Sequence, residues 1–216
     1  MTAAQLLEEL AKREALIVHC SRPGKGDEGI DGLLFPEDLQ KAIDLCANRS
    51  TELCCSVVWP GHTETFGAVG IILKPRSTKS ITSICTTDAG SRYEPAIGKR
   101  VGLGSPFSQK GVLDTFANAT CYNEWNVQDA DTIGIFVHPG EQWEVPKRIP
   151  ITQIPGYDPA MESMFGGGDV VGAVVADRQV IAAAFPSLPI FSFSGSGIVR
   201  VDTTGLVPIK SADLYR

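Results

Sequence analysis

Apolar positions along the chain change period early, and the change separates helices from strands. Over residues 2–14, Leu6, Leu7 and Leu10 recur at helical spacing and Thr2 stands where an N-cap belongs, which predicts a short amphipathic helix. Residues 16–21, Leu-Ile-Val-His-Cys-Ser, switch to a strand pattern, and Gly24, Gly26, Gly29 and Gly32 then mark a loop. A second helix opens at Pro36: Glu37 and Asp38 suit the positive end of its dipole, and Leu39, Ala42, Ile43 and Cys46 keep helical spacing. From residue 52 onward strand signals dominate, in runs at 53–59, 68–74 and 80–86 set apart by Pro60-Gly61 and Pro75. Residues 87–105 predict a long glycine-containing loop, and Ser105-Pro106 opens a short helix toward Asn118. Two more strands follow, at 121–127 and 132–138, joined by the polar turn 128–131. Residues 139–168 are rich in Pro and Gly with weak periodicity, and Gly166-Gly167-Gly168 is a flexible point. Over 169–184 strand and helix compete, with helix favoured and Asp169 as its N-cap; the tail from Ile190 returns to β structure. The pattern is that of a mixed α/β (α+β) chain, with any domain boundary between about 140 and 168.

Composition narrows the class. The 216 residues are 43% apolar and 20% charged, ordinary for a globular protein and against disorder, while 22 glycines and 14 prolines fit a turn-rich fold. Net charge is −6 and the pI about 5.1, which argues against a constitutive nucleic-acid coat; Arg13, Arg22, Lys25, Lys99 and Arg100 are scattered rather than clustered. The six cysteines (Cys20, Cys46, Cys54, Cys55, Cys85 and Cys121) form no Cys-x-x-Cys pair, and adjacent Cys54 and Cys55 point to opposite faces of a strand. Reduced, buried thiols are expected, with no metal site. Glu8, Glu9 and Glu14 speak against a signal peptide, and the longest apolar runs, 68–73 and 170–176, are too short to span a bilayer. A soluble, cytoplasmic protein without a membrane partner is the expectation.

Three spots carry candidate chemistry. Alternation puts Ile17, His19 and Ser21 on one face of the first strand and Leu16, Val18 and Cys20 on the other, so a histidine and a serine emerge together just before the glycine-rich loop. In Tyr122-Asn123-Glu124-Trp125-Asn126-Val127, Tyr122, Glu124 and Asn126 share a polar face with one carboxylate at its centre, although carboxylates are depleted in strands. Facing water, Glu124 is an ordinary solvated residue; lining a cleft, it is a catalytic candidate. Ser56 is a polar group inside the apolar run Cys-Cys-Ser-Val-Val-Trp.

Taken in order, these spots resemble the ADP-ribosyltransferase superfamily, and most nearly its histidine-first members, the tRNA 2′-phosphotransferases and the DNA-modifying toxins. Residues 16–21 look like the first strand with its NAD-contacting histidine, His19, and Gly32-Leu33-Leu34 like the Gly-Leu that follows it. Residues 54–59 look like the second motif strand with Ser56 at its polar position, and 122–127 followed by 132–139 like the glutamate strand and the closing strand after it. The resemblance covers residues 15–140, leaving 141–216 as a C-terminal elaboration packed on the same domain. Two departures stand out: Tyr122 occupies the place two residues before Glu124 where another Glu or Gln is common, and a histidine replaces the arginine of the arginine-first class. The resemblance implies two packed, mainly antiparallel sheets with flanking short helices and NAD, as substrate, in the crevice between them. It implies that His19, Ser21, Ser56 and Tyr122 bind NAD and that Glu124 stabilises the oxocarbenium charge as nicotinamide leaves, passing ADP-ribose to an unknown acceptor, protein or nucleic acid, or to water. Tyr122, Trp125 and Trp59 are candidates to stack on nicotinamide.

Two other readings use the same residues. A hydrolase or nuclease would employ His19 and His62, the latter on the Trp59-Pro60-Gly61-His62 turn, or a metal at Asp27, Glu28 and Asp31. A non-enzymatic binding or homo-oligomeric assembly protein would use the apolar stretches 170–176 and 188–193 as an interface.

Overall fold

The computed structural model describes residues 1–22, 33–87, 93–94, 99–100, 104–117, 122–154, 156–160 and 169–216; the glycine loop with Asp27, Glu28 and Asp31, together with Asn118, Cys121 and Gly166-Gly167-Gly168, lies outside them. Helix α1 (Ala3–Lys12) starts at a reciprocal cap: Thr2 Oγ1 accepts from the Gln5 amide at 3.2 Å and Gln5 Oε1 accepts from the Thr2 amide at 2.7 Å. Strand β1 (Leu16–Cys20) is buried along its whole length, as a central strand covered on both faces must be. Helix α2 (Glu37–Ala47) follows Pro36, buries Leu39, Ala42 and Cys46, and holds the entering chain through the Asp38 carboxylate, which accepts from the Leu34 amide at 2.8 Å.

The elements after it are β2 (Leu53–Val58), β3 (Val69–Pro75), β4 (Ile81–Cys85), β5 (Tyr93–Glu94), β6 (Lys99–Arg100), α3 (Gln109–Ala117), β7 (Glu124–Val127) and β8 (Ala130–Val137). Then come β9 (Gln142–Pro150), β10 (Asp169–Asp177), α4 (Arg178–Ala184), β11 (Ile190–Ser194), β12 (Gly197–Arg200), β13 (Val207–Ile209) and α5 (Ser211–Leu214). Nine strands make one sheet in the order β13-β12-β11-β8-β3-β1-β2-β7-β4, antiparallel throughout except for the parallel pair β8–β11. Strands β9 and β10 form a separate two-stranded ribbon, and β5 and β6 another.

A short connection shapes this sheet. Between β7 and β8 stand only Gln128 and Asp129, yet four strand spacings separate the two strands in the sheet order. Three peptide units reach at most about 11 Å, whereas four spacings in a flat sheet measure about 19 Å. The sheet must therefore curl until the β7–β4 end lies beside the β3–β8 end. The inside of the curl is the main core, where Trp125, Val127, Ile81 and Ile84 meet Ile71, Leu73, Ile135 and Val137 around Ile17, Cys55 and Val57. Leu6 and Leu10 of α1, Leu39 and Cys46 of α2 and Val112 of α3 belong to the same cluster. A second cluster, Leu16, Val18, Ile72, Phe136, Phe191 and Phe193, lies on the other face, because strands β11–β13 extend the sheet past β8.

The mixed α+β class is present, but its arrangement corrects the expectation of two packed, mainly antiparallel sheets: one continuous mixed sheet bends so that its own halves face each other. Residues 169–184 also divide differently from the helix expected there. The run 169–177 is strand, paired along its whole length with β9, and the helix starts only at Arg178, capped by Asp177 Oδ1 accepting from the amides of Gln179 and Val180 at 2.9 Å each. Uniformly apolar residues satisfy either period, and nine ladder pairings decide for strand. Among the described residues no helix is long and apolar enough to cross a membrane.

Trp125 is the largest side chain with no exposure, and its indole Nε1 donates to Thr115 Oγ1 of α3 at 3.1 Å. Trp125→Ala is expected to lower unfolding free energy by about 3–5 kcal/mol, measured as a lower urea midpoint with an unchanged slope.

Candidate functional site

Strand register distributes the candidate residues between the two faces of the sheet. Val18 stands opposite Ser56, Cys54 opposite Asn126, and Cys85 opposite Glu124. Opposite residues in an antiparallel pair project to the same side, so Ser56, Cys54, Glu124 and Asn126 share the outer face with Val18. Tyr122, just before β7, joins them: its Oη lies 3.9 Å from Cys54 Sγ, and it lines the same recess as Ser56. His19 alternates to the inner face. Ser21, one residue beyond β1, donates its hydroxyl to the Val69 carbonyl at 3.1 Å. The structure thus brings Ser56, Tyr122 and Glu124 together and sets His19 on the far side of the strand from them.

Asn123 holds this geometry. It is fully buried; its Oδ1 accepts from the Val57 amide and its Nδ2 donates to the Val57 carbonyl, both at 2.8 Å. The side-chain amide replaces a strand neighbour at the end of β2, leaving Tyr122 and Glu124 pointing outward on either side of it. Glu124 is half-buried, with its carboxylate close enough to the Cys54 thiol to act on its titration. Burial, with the Glu124 charge beside it, pushes the Cys54 thiol up to about 12, and burial with Cys54 and Glu124 nearby pushes the Tyr122 phenol up as well. Both groups are neutral donors at physiological pH.

The outer recess is lined by Val18, Cys20, Arg22, Leu33, Cys54, Ser56, Phe66 and Tyr122 and measures about 10 Å³, room for one water. Phe66 covers it, leaning on the Tyr122 ring with centroids 4.1 Å apart. The Arg22 guanidinium carbon sits over the Phe66 ring, 5.2 Å from its centroid. Arg22 Nε is buried without a hydrogen-bond partner among the described residues, while its backbone is fixed by two bonds to Leu33, at 3.0 and 2.8 Å.

The inner face opens at the same strand end into a larger groove of about 320 Å³ between α2 and β2, lined by His19, Asp38, Lys41, Leu45, Glu52 and Leu53 among others. Arg22, Leu33 and Cys54 line both spaces. His19 Nδ1 lies 2.8 Å from the Cys54 carbonyl, which can only accept, so Nδ1 carries the proton and Nε2 is left as an acceptor. Burial lowers the imidazole's proton affinity and keeps the ring neutral.

The remaining histidines are elsewhere. His62 stacks on Trp59 with centroids 4.1 Å apart, beyond the Leu16–Val58 end of the β1–β2 pair and so at the opposite end from His19. His138 Nε2 lies 2.7 Å from Thr65 Oγ1. Trp59 packs against Phe116 and Trp125 fills the core, so of the three aromatic candidates Tyr122 alone lines the recess. Among the described residues no three His, Cys, Asp or Glu side chains are grouped to hold a metal ion. Sequence reasoning passed over Arg22, Phe66 and Asn123. Arg22 follows His19 by three residues, and that adjacency was the available signal; Phe66 and Asn123 enter only through the fold. Comparison of the chain with protein-family models, with curated proteins and with solved structures finds no match to any of them.

Two outcomes check this description. A thiol raised to about 12 has roughly a thousandfold less thiolate at pH 8 than one of ordinary value near 9.0, so Cys54 in the native protein is expected to react with iodoacetamide far more slowly than in guanidinium, followed peptide by peptide by mass spectrometry. His19 has a lowered proton affinity in the folded chain, so below its ordinary value of 6.5 the unfolded chain takes up the proton first. Its contribution to stability is therefore full above pH 6.5 and lost as pH falls. In His19→Gln that part of the acid loss is expected to disappear from urea midpoints measured between pH 7.5 and 5, leaving the part due to His138, whose proton affinity burial also lowers.

Proposed function

We propose that the chain is an NAD-dependent ADP-ribosyltransferase or NAD glycohydrolase, with NAD lying across the end of β1. The observation that carries this reading is the convergence of Ser56, Tyr122 and Glu124, from strands far apart in sequence, on one face beside an Arg22 guanidinium that has no ion-pair partner among the described residues. A dinucleotide needs an aromatic surface, a cation for its diphosphate and hydrogen-bonding groups for its riboses. Tyr122 and Phe66 supply the first, Arg22 the second, and Ser56, Glu124 and the Nε2 acceptor of His19 the third. Because Arg22, Leu33 and Cys54 line both the outer recess and the inner groove, the diphosphate is assigned to Arg22, the adenosine half to the His19 groove and the nicotinamide half to the Glu124 face. Phe66 is partly exposed and covers the outer recess, so it is the side chain that gives way when nicotinamide enters. His19 also acts as a positioning residue: its bond to the Cys54 carbonyl fixes the strand whose thiol borders Glu124.

In the reaction the bond between ribose C1′ and the nicotinamide nitrogen breaks, and its electron pair leaves with nicotinamide. Positive charge builds on C1′ and the ring oxygen. Glu124 accepts from the ribose 2′-hydroxyl and faces that charge, an interaction stronger in the transition state than in bound NAD. The acceptor nucleophile, or water, then bonds to C1′ and loses a proton. The neutral Cys54 and Tyr122 leave the carboxylate as the negative group of this face.

Ligand-observed NMR with NAD tests the reading. The wild-type protein is expected to bind NAD and release nicotinamide over hours, and Glu124→Gln to bind it with release slowed about 10²–10³-fold. Arg22→Gln is expected to weaken binding of NAD more than binding of nicotinamide riboside, which lacks the diphosphate. Absence of both binding and release in the wild type overturns the proposal.

A further inference from the structure

The outer recess is closed by one segment of chain, and that segment is held through one side chain. Phe66 covers a space of about 10 Å³, so nothing larger than a water fits beside Ser56 and Tyr122 while it stays in place. The segment that carries it, residues 63–66, is anchored at both ends. On one side Trp59 and His62 exchange backbone hydrogen bonds at 2.9 and 2.8 Å. On the other, Gly67 lies so close to β1 that a Cβ there would stand 1.7 Å from the Ser21 carbonyl oxygen, and the Ala68 carbonyl accepts from the His138 amide at 3.0 Å. Between these anchors residues 63–66 make no backbone hydrogen bond to the backbone of another described residue. The Phe66 side chain has no polar atom to hold it; it is 37% exposed and rests between Tyr122 and Arg22.

The tether is Thr65. Its hydroxyl hydrogen goes to the Gly67 carbonyl at 2.8 Å, because a carbonyl can only accept, and its oxygen then accepts from His138 Nε2 at 2.7 Å. His138 stands just past the end of β8, half-buried, with its ring set edgewise to Phe136. A rigid strand end thus grips the segment through a two-step chain of hydrogen bonds.

We infer that residues 63–66 are a lid over the recess and that His138 and Thr65 are its latch, positioning residues that set how often Phe66 lifts away. Opening breaks the chain from His138 through Thr65 to Gly67 and takes Phe66 off Tyr122, while both anchors stay in place. Local openings of this kind cost far less than unfolding, because few buried contacts are given up. The lid rests on the proposed function only in that the recess it covers is a binding site, and it governs entry of any ligand there, NAD included.

Cys20 reports the opening. It lines the recess and not the inner groove, and burial pushes its thiol up to about 12, so at pH 8 it is alkylated when the lid lifts and water reaches it. Cys46 and Cys55, in the main core, report global unfolding instead. The measurement is iodoacetamide labelling of the native full chain, followed peptide by peptide by mass spectrometry. Thr65→Val keeps the shape and removes the hydroxyl; it is expected to raise the Cys20 rate about 3–10-fold, the range that one net hydrogen bond supplies. Thr65→Ser is expected to keep the wild-type rate, and His138→Leu to match Thr65→Val. Phe66→Ala removes the cover, so Cys20 labels fast in it and adding Thr65→Val changes nothing further. Cys46 and Cys55 are expected to keep their wild-type rates in all of these. A Cys20 rate unmoved by Thr65→Val, a rise matched at Cys46 and Cys55, or effects of Thr65→Val and Phe66→Ala that add in full would each overturn the latch. Should Thr65→Val fail to fold, His138→Leu carries the same comparison. NAD takes no part in these measurements, so failure of the lid and failure of the NAD reading are separate results.

Discussion

The two-residue link between β7 and β8 is the constraint on which the rest of the molecule depends. A flat sheet cannot accommodate it, so the sheet bends, and bending creates an inside and an outside. The link is secured where the bend is tightest. Asp129 adopts a left-handed backbone at φ 51°, its amide donates to the Cys46 carbonyl at the end of α2 at 3.0 Å, and its carbonyl accepts from Ser80 Oγ at 2.9 Å. Arg49 and Arg76 sit at 2.7 and 3.0 Å from its two carboxylate oxygens and hold the carboxyl below its ordinary range. One residue therefore joins α2, the β3–β4 connection and the β7–β8 link. These partners are exposed to screening by salt, so the hydrogen bonds and the burial of the core inside the curl carry more of the energy than the ion pairs do.

The curl also explains why polar side chains gather where they do. The inside is closed by α1, α2 and α3, and an uncompensated carboxylate there would be costly. The outer face is only half-covered at Cys54, Glu124 and Asn126, so it tolerates a thiol, a carboxylate and an amide there. At the end of β1, Arg22 borders both the outer recess and the inner groove, together with Leu33 and Cys54. A ligand with two chemically different halves and a charged middle matches that position better than one confined to either face.

Much of this was legible within single strands and little of it between them. Alternation alone correctly separated His19 and Ile17 from Leu16 and Val18, and Tyr122 and Glu124 from Trp125 and Val127, because the side-chain period of a strand is a local property. Helix α2 was equally legible, since Pro36, the acidic first turn and the apolar spacing all agree. What no local pattern contains is register. Whether Ser56 stands beside Val18 or beside His19 depends on pairing across 38 positions of chain (56 − 18), and a shift by one residue moves every side chain to the other face. The single sheet escaped notice for the same reason, as its curl follows from which strands are neighbours. Strand β9 was hidden by Pro146 and Pro150, which break the period but sit where the ribbon can accept them, Pro146 at an edge and Pro150 at the strand's end.

Among the described residues, Glu124 and the outer edge of β10 break local rules. Glu124 occupies a strand position where Thr or Val would pack better, and it raises the proton affinity of both weak acids beside it. The outer edge of β10 leaves out the charge or proline that would guard it at no cost to the core, since Val171 and Val175 already face away from the main cluster. At many other described positions the local preferences and the fold agree: the capped starts of α1 and α4, apolar residues inside the curl, a left-handed turn pinned by side chains. Chains whose levels agree nearly throughout depart from that agreement mainly where a site requires it. A half-buried carboxylate beside a neutral thiol, and a strand edge with no partner among the described residues, are departures of different kinds. The first lies in the charge of one side chain and the second in the hydrogen bonds of a backbone, so neither account serves for the other.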